Sequence, residues 1–147
     1  MTADEVIALL GLEPLPDEGG MFGQHYADAH STAIYFLVRS GDFSALHRLT
    51  GPEIYHFYDG APLQMLLLYP DGRIERPVLG VGLAEGERPA LAVPSGIWQG
   101  SMTTGEWSLV GTTMAPGFTA DMFELGTRQN LVVEYPTAAR EIEQLTR

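Results

Sequence analysis

Residues 43–60, "FSALHRLTGPEIYHFYDG", place two of the chain's four histidines, His47 and His56, beside Tyr55, Tyr58 and Glu53 in a mostly apolar setting. Imidazole ordinarily titrates near ~6.5, so it can take up and release protons close to neutrality. A neighbouring carboxylate favours its charged form, and burial favours the neutral one. Strand alternation gives His47 the same face as Leu49. Glu53, Tyr55 and Phe57 share a second face, with Ile54, His56 and Tyr58 on its reverse. Read as a hairpin, "HRLTGPE" has two solutions. A turn centred on Thr50 brings His47 and Glu53 to one face, and a two-residue Thr50-Gly51 turn sets them on opposite faces. His56, between Tyr55 and Phe57, reads as a packed strand residue or interface contact. His25 and His30 read as surface or edge residues.

The elements that must position these groups are short. "TADEVIALLGL" has helical apolar spacing, with Thr2 as cap, Glu5 three residues on and Gly11 as stop. A Pro- and Gly-rich loop, "EPLPDEGG", follows. Then come segments of β character: "MFGQHYA", "STAIYFLV", "FSALHRL", "EIYHFYD", "LQMLLLYP", "RIERPVLG", "ALAVPSG" and "WSLVGTTMAP". Turn signals such as Ser40-Gly41-Asp42, Asp59-Gly60 and Asp71-Gly72 separate them. "TAAREIEQLTR", after Pro136, reads as a closing amphipathic helix. Many short strands with 17 Gly and 10 Pro predict an all-β sandwich or barrel.

A length of 147 residues, without repeat or linker, predicts a single domain over 1–147. With no cysteine, disulfides and thiolate metal sites are excluded, and a cytoplasmic location is the default expectation. The N-terminal segment lacks the basic region of a secretory signal. No apolar run approaches the ~20 residues of a membrane span. The formal net charge is −11, and all eight basic residues are arginines scattered along the chain. Such a chain is repelled by nucleic-acid phosphates and anionic membranes, so neither is an expected partner. An anionic ligand would need a local arginine, and candidates are few.

Several segments resemble a known family. Gly41, His47, Glu53 and Gly60 fall at the spacing of the first cupin motif, and "VPSGIWQG" resembles the second, with Pro94 and Gly96 matching. "LGLEPLPDEGG", "DFSALHRLTGPEIYHFYDG", "LGVGLAEGERPALAVPSGIWQG", "APGF" and "FELGTR" together resemble the "cupin 5" domain family, whose biochemical role is largely unassigned. The resemblance implies a double-stranded β-helix (jelly-roll) barrel with short terminal helices. In it the first histidine and the glutamate both point inward, which favours the Thr50-centred turn. It also implies a homodimer, for which "LQMLLLYP" is the candidate buried strand.

Metal-binding cupins hold their ion with three histidines and a glutamate. Here Leu49 stands at the second histidine and Gln99 at the third. An amide oxygen is a poor donor for the metals that favour imidazole. No cofactor is therefore expected, and a weak divalent-metal site of His47, Glu53 and Gln99, serving an oxygenase or hydrolase, is an alternative. The arrangement resembles metal-free cupins that isomerise or epimerise sugar nucleotides. There a barrel histidine removes a proton beside a carbonyl and a tyrosine can return one. On that pattern the catalytic set is His47, Glu53 and Tyr55, with Tyr35 and Tyr58 as further tyrosine candidates. Gln99, Trp98, Tyr35 and Phe57 form the expected ligand-binding set. The expected partner is a small molecule, bound by a metal-independent isomerase, epimerase or cyclase, or else by a non-catalytic binding or sensing protein. Where the family carries an arginine after its Glu-Gly-Gly turn, this chain has Gly23, which makes phosphate-bearing substrates less favoured.

Overall fold

A computed structural model describes all 147 residues. Twelve strands form two antiparallel sheets of six. Sheet I contains β1 (Glu13–Pro14), β2 (Met21–Ala27), β3 (Thr32–Arg39), β5 (Glu53–Gly60), β9 (Ala90–Val93) and β11 (Trp107–Met114), in the order β1-β2-β3-β11-β5-β9. Sheet II contains β4 (Ser44–Leu49), β6 (Leu63–Leu68), β7 (Ile74–Glu75), β8 (Val78–Leu79), β10 (Trp98–Thr103) and β12 (Phe123–Leu125). Its order is β12-β4-β10-β6-β7, with β8 also on β6. The helix α1 (Ala3–Leu10) is capped by the Thr2 hydroxyl, which accepts from Glu5 N–H, and ends at left-handed Gly11, as its sequence predicts. The helices α2 (Arg128–Glu134) and α3 (Ala139–Gln144) follow the last strand. No helix is long and apolar enough to cross a membrane.

Three apolar clusters follow from strand alternation. Phe36, Val38, Tyr55, Leu63, Met65, Leu67, Val93 and Val110 fill the space between the sheets. Leu46, Leu66, Leu68 and Trp98, on the other face of sheet II, pack against Leu131, Tyr135 and Ile142 of the C-terminal segment. Leu37 and Trp107, on the outer face of sheet I, pack against Val6 and Leu12. Each residue buried in this way contributes about 1.5–3 kcal/mol relative to an exposed one.

The structure changes four sequence expectations. His47 and Glu53 are not on a hairpin: β4 and β5 lie in different sheets, and residues 50–52 carry the chain from one to the other. The two side chains therefore face one cavity from different sheets, an outcome that neither hairpin register describes. "WQGSMT", absent from the expected strands, is the strand β10 between β4 and β6. Helix α2 has no counterpart among the expected elements. The run "LQMLLLYP" has no exposed face to offer a partner, because alternate residues enter two separate clusters of its own chain.

Candidate functional site

The inward-facing strand positions divide by depth. On β3, Phe36 and Val38 enter the core, whereas Thr32 and Ile34 line a cavity. On β11, Val110 is core, and Thr112 and Met114 line the cavity. On β5, Tyr55 is core and Glu53 lines it. One end of the barrel is thus filled and the other encloses about 370 Å³. Leu15, Phe22, Leu49, Phe118 and Phe123 supply further apolar wall, and Asp17, Glu18, Gln24 and His47 supply polar groups. The volume suits one small ligand.

His47, 2% exposed, is fixed on two sides. Its Nδ1 lies 2.7 Å from the Ala45 carbonyl oxygen. A carbonyl can only accept, so Nδ1 carries the proton and donates. The Phe123 ring stacks on the imidazole, centroids 5.1 Å apart and planes 19° apart. Nε2 is left facing Glu18 Oε1 at 3.7 Å. The second oxygen of Glu18 accepts from Ser44 Oγ at 2.8 Å. An unprotonated Nε2 and a carboxylate oxygen are both acceptors and cannot bond to each other. A proton arriving on Nε2 would satisfy both.

The loop bearing Glu18 is tightly held. Its backbone turns through left-handed conformations at Asp17, Gly19 and Gly20, which accounts for the "DEGG" sequence. Arg147 Nη1 and Ala45 N–H both donate to the Glu18 carbonyl, at 2.9 and 2.8 Å. Arg147 also donates to Asp42 Oδ1 at 2.8 Å, while Asp42 Oδ2 accepts from Gly20 N–H at 2.9 Å.

Glu53, 9% exposed, has one oxygen, Oε1, with no hydrogen-bond partner. Burial pushes its carboxyl above the usual range; an imidazolium at His47 would pull it down, and the Glu18 charge pushes it further up. Beneath it, Tyr55 Oη donates to Gln99 Oε1 at 2.5 Å and ties sheet I to sheet II. Burial, then the charges of Glu53 and Glu18, hold the Tyr55 phenol well above its ordinary range.

The structure brings together His47 and Glu53 of the expected site and sets Gln99 and Tyr55 under them. Gln99 is the cross-strand neighbour of His47, yet its oxygen is taken by Tyr55. Neither Gln99 nor Tyr55 lines the cavity. Tyr55 is thereby a buried cross-tie whose proton is tightly held, and it is not positioned to return a proton to a ligand. Four other expectations need correction. Trp98 alternates with Gln99, so it points away from the barrel into the cluster under the C-terminal helices, with Arg48 over its ring at 4.4 Å. Tyr35 alternates with Ile34 and lies on the outer face of sheet I, between His25 and Tyr58. That contact takes Tyr58 out of the site as well. Phe57 faces inward but packs against the filled end of the barrel. Glu18 and Phe123, which touch or face His47, were absent from the expected set. The "DEGG" turn was the available signal for Glu18, but spacing alone does not bring residue 18 to residue 47.

The donors do not fit the four-ligand metal site of metal-binding cupins. Leu49 presents hydrocarbon, the Gln99 oxygen is engaged by Tyr55, and no three His, Asp or Glu side chains are disposed to hold an ion.

A family model described as "Cupin superfamily (DUF985)" matches residues 4–126, and the chain belongs to this family. An X-ray crystal structure of a protein from Shewanella oneidensis is 36% identical, with a TM-score of 0.93 over 100% of this chain and 98% of that one. A hypothetical protein from Leishmania major is 30% identical, with a TM-score of 0.90 over 99% of both chains. A cupin 2 conserved barrel domain protein from Rhodopseudomonas palustris shares the fold at 17% identity, with a TM-score of 0.63 over 90% of this chain and 83% of that one. No curated protein matches. The double-stranded β-helix fold expected from the sequence is thus the observed one, and it is consistent with small-molecule binding.

Proposed function

We propose that this cupin is a metal-independent isomerase or epimerase of a small carbonyl-bearing metabolite, with His47 Nε2 as the general base. The observation that carries the reading is the tautomer: Nδ1 is committed to the Ala45 carbonyl, which leaves the Nε2 lone pair beside the cavity and opposite Glu18. The base takes a proton from the carbon next to the carbonyl, the C–H electron pair moves into an enolate, and the resulting imidazolium is stabilised by Glu18. The same imidazolium returns the proton to a neighbouring carbon on the same face, or to the other face of the first carbon once the enolate has turned over in the cavity. Glu53, which lines the cavity, holds the substrate through its carboxyl group.

Solvent exchange tests this without knowledge of the product. Carbonyl compounds first found to bind are incubated with the protein in D2O, and proton NMR follows their α-hydrogens. Deuterium entry with wild type and not with His47→Gln is the expected result. Bound compounds that gain no deuterium would refute the reading. That result would leave a non-catalytic binding protein, which the mostly apolar wall of Leu15, Phe22, Ile34, Met114 and Phe118 also suits.

A further inference from the structure

The cavity's charge is one-sided. Asp17, Glu18 and Glu53 line it, together with His47 and the neutral Gln24, Thr32 and Thr112. The chain has no lysine, and none of its eight arginines lines the cavity. Arg39, Arg48, Arg76 and Arg147 are paired elsewhere with Asp4, Glu124, Glu141 and Asp42. The carboxylates therefore meet no resident cation other than a protonated His47. Glu53 is the clearest case: it is nine-tenths buried, lines the cavity, and keeps Oε1 without a partner. A buried acceptor left unpaired costs about 1–3 kcal/mol, more for a charged group, so it marks a place where a donor belongs. Phe22, Phe118 and Phe123 add rings to the wall. Ring faces attract cations and also pack against hydrocarbon.

We infer that the cavity takes a small organic ammonium ion, a protonated amine on an apolar body, whose N–H bonds to the Glu53 carboxylate while Phe22, Ile34, Met114 and Phe118 enclose the body. Glu18 supplies a second negative charge toward the same space. Low-dielectric walls lined by one sign of charge concentrate the opposite ion and repel like ones. A phosphate or carboxylate would meet three carboxyl groups and no guanidinium, so sugar nucleotides are excluded from the site. The inference needs the cavity to bind a ligand but does not need it to turn one over. It narrows the metabolite of the preceding reading to an aminated carbonyl compound.

Three probes of nearly equal size isolate the charge: benzylammonium, benzyl alcohol and benzoate. Their binding to the intact protein is measured by calorimetry, with His47 and Phe123 resonances reporting the location. Benzylammonium should bind at least about tenfold more tightly than benzyl alcohol, and benzoate should not bind. Glu53→Gln should weaken benzylammonium about tenfold and leave benzyl alcohol within about twofold. Glu18→Gln should act in the same direction to a smaller extent. The inference is overturned if benzoate binds, if the alcohol binds as well as the ammonium, if Glu53→Gln leaves the ammonium unaffected, or if no ammonium ion binds at millimolar concentration. Such a failure leaves proton transfer standing for uncharged substrates. Ammonium compounds that bind without solvent exchange would refute proton transfer and leave this inference intact.

Discussion

Residue by residue, the site depends on the partners that His47 and Glu53 each have. His47 gains one hydrogen bond and one ring stack from its surroundings. His47→Ala should therefore remove exchange activity and cost about 1–3 kcal/mol in chemical denaturation, through the lost bond and the space left under Phe123. Glu53 carries the opposite balance. Its carboxyl is lifted chiefly by burial, so the folded protein binds that proton more tightly than the unfolded chain does. The resulting stability is fully present below the ordinary carboxyl range and is lost as pH rises through the folded-state value. Glutamine cannot ionise. Glu53→Gln should accordingly melt at a higher temperature than wild type near pH 8, and the two curves should converge at about pH 4. A gap that widened toward acid would mean that the Glu53 charge stabilises the fold.

At the scale of elements, the loop between β1 and β2 decides whether Glu18 faces His47. Gly19 has φ of +96°, and a Cβ there would collide with the Arg147 guanidinium and the Phe43 carbonyl. Gly72 has φ of +90° with open space around it. Alanine at either position adds backbone strain of about 1–3 kcal/mol. Only Gly19→Ala should also displace the loop. It should weaken ammonium binding several-fold where Gly72→Ala leaves binding unchanged, with melting curves and calorimetry recorded on both. Equal binding by the two variants would show that the clamp around Arg147 does not position Glu18. The contrast also explains what was legible. "DEGG" marks a tight turn because only such residues accept these backbone angles, but the partner of the turn is 29 residues away in β4.

At the scale of the whole molecule, the outer face of sheet I is the feature not covered by the chain itself. Beyond α1 it presents Tyr26, Ile54 and Tyr58, which are 51%, 42% and 49% exposed. A homodimer, the commonest closed assembly, would bury such a face. Light scattering at micromolar concentration is expected to give twice the 16.0 kDa chain mass, and Ile54→Glu is expected to give the monomer. A wild-type monomer at those concentrations would end the proposal. The interface expected from "LQMLLLYP" fails for a reason of scale: its hydrophobicity is consumed on both faces within one chain.

The resemblance to the cupin motif implied the inward direction of His47 and Glu53, whereas the all-β class, the capped first helix and most strand positions were legible in the residues themselves. These follow from local rules: alternation along a strand, glycine at left-handed turns, and motif spacing. The sequence also showed that Leu49 and Gln99 stand where the family's metal-binding members have histidines. Tertiary structure decided the rest. Trp98 and Gln99 are adjacent in sequence, yet their strand places one under the C-terminal helices and the other under His47. Tyr55 faces inward, but its depth in the barrel makes it a tie to Gln99. Glu18 enters the site from a loop pinned by Arg147, 129 residues further along the chain. Parity along a strand is a local property, whereas depth in a barrel and contact between loops depend on how the two sheets close over one another.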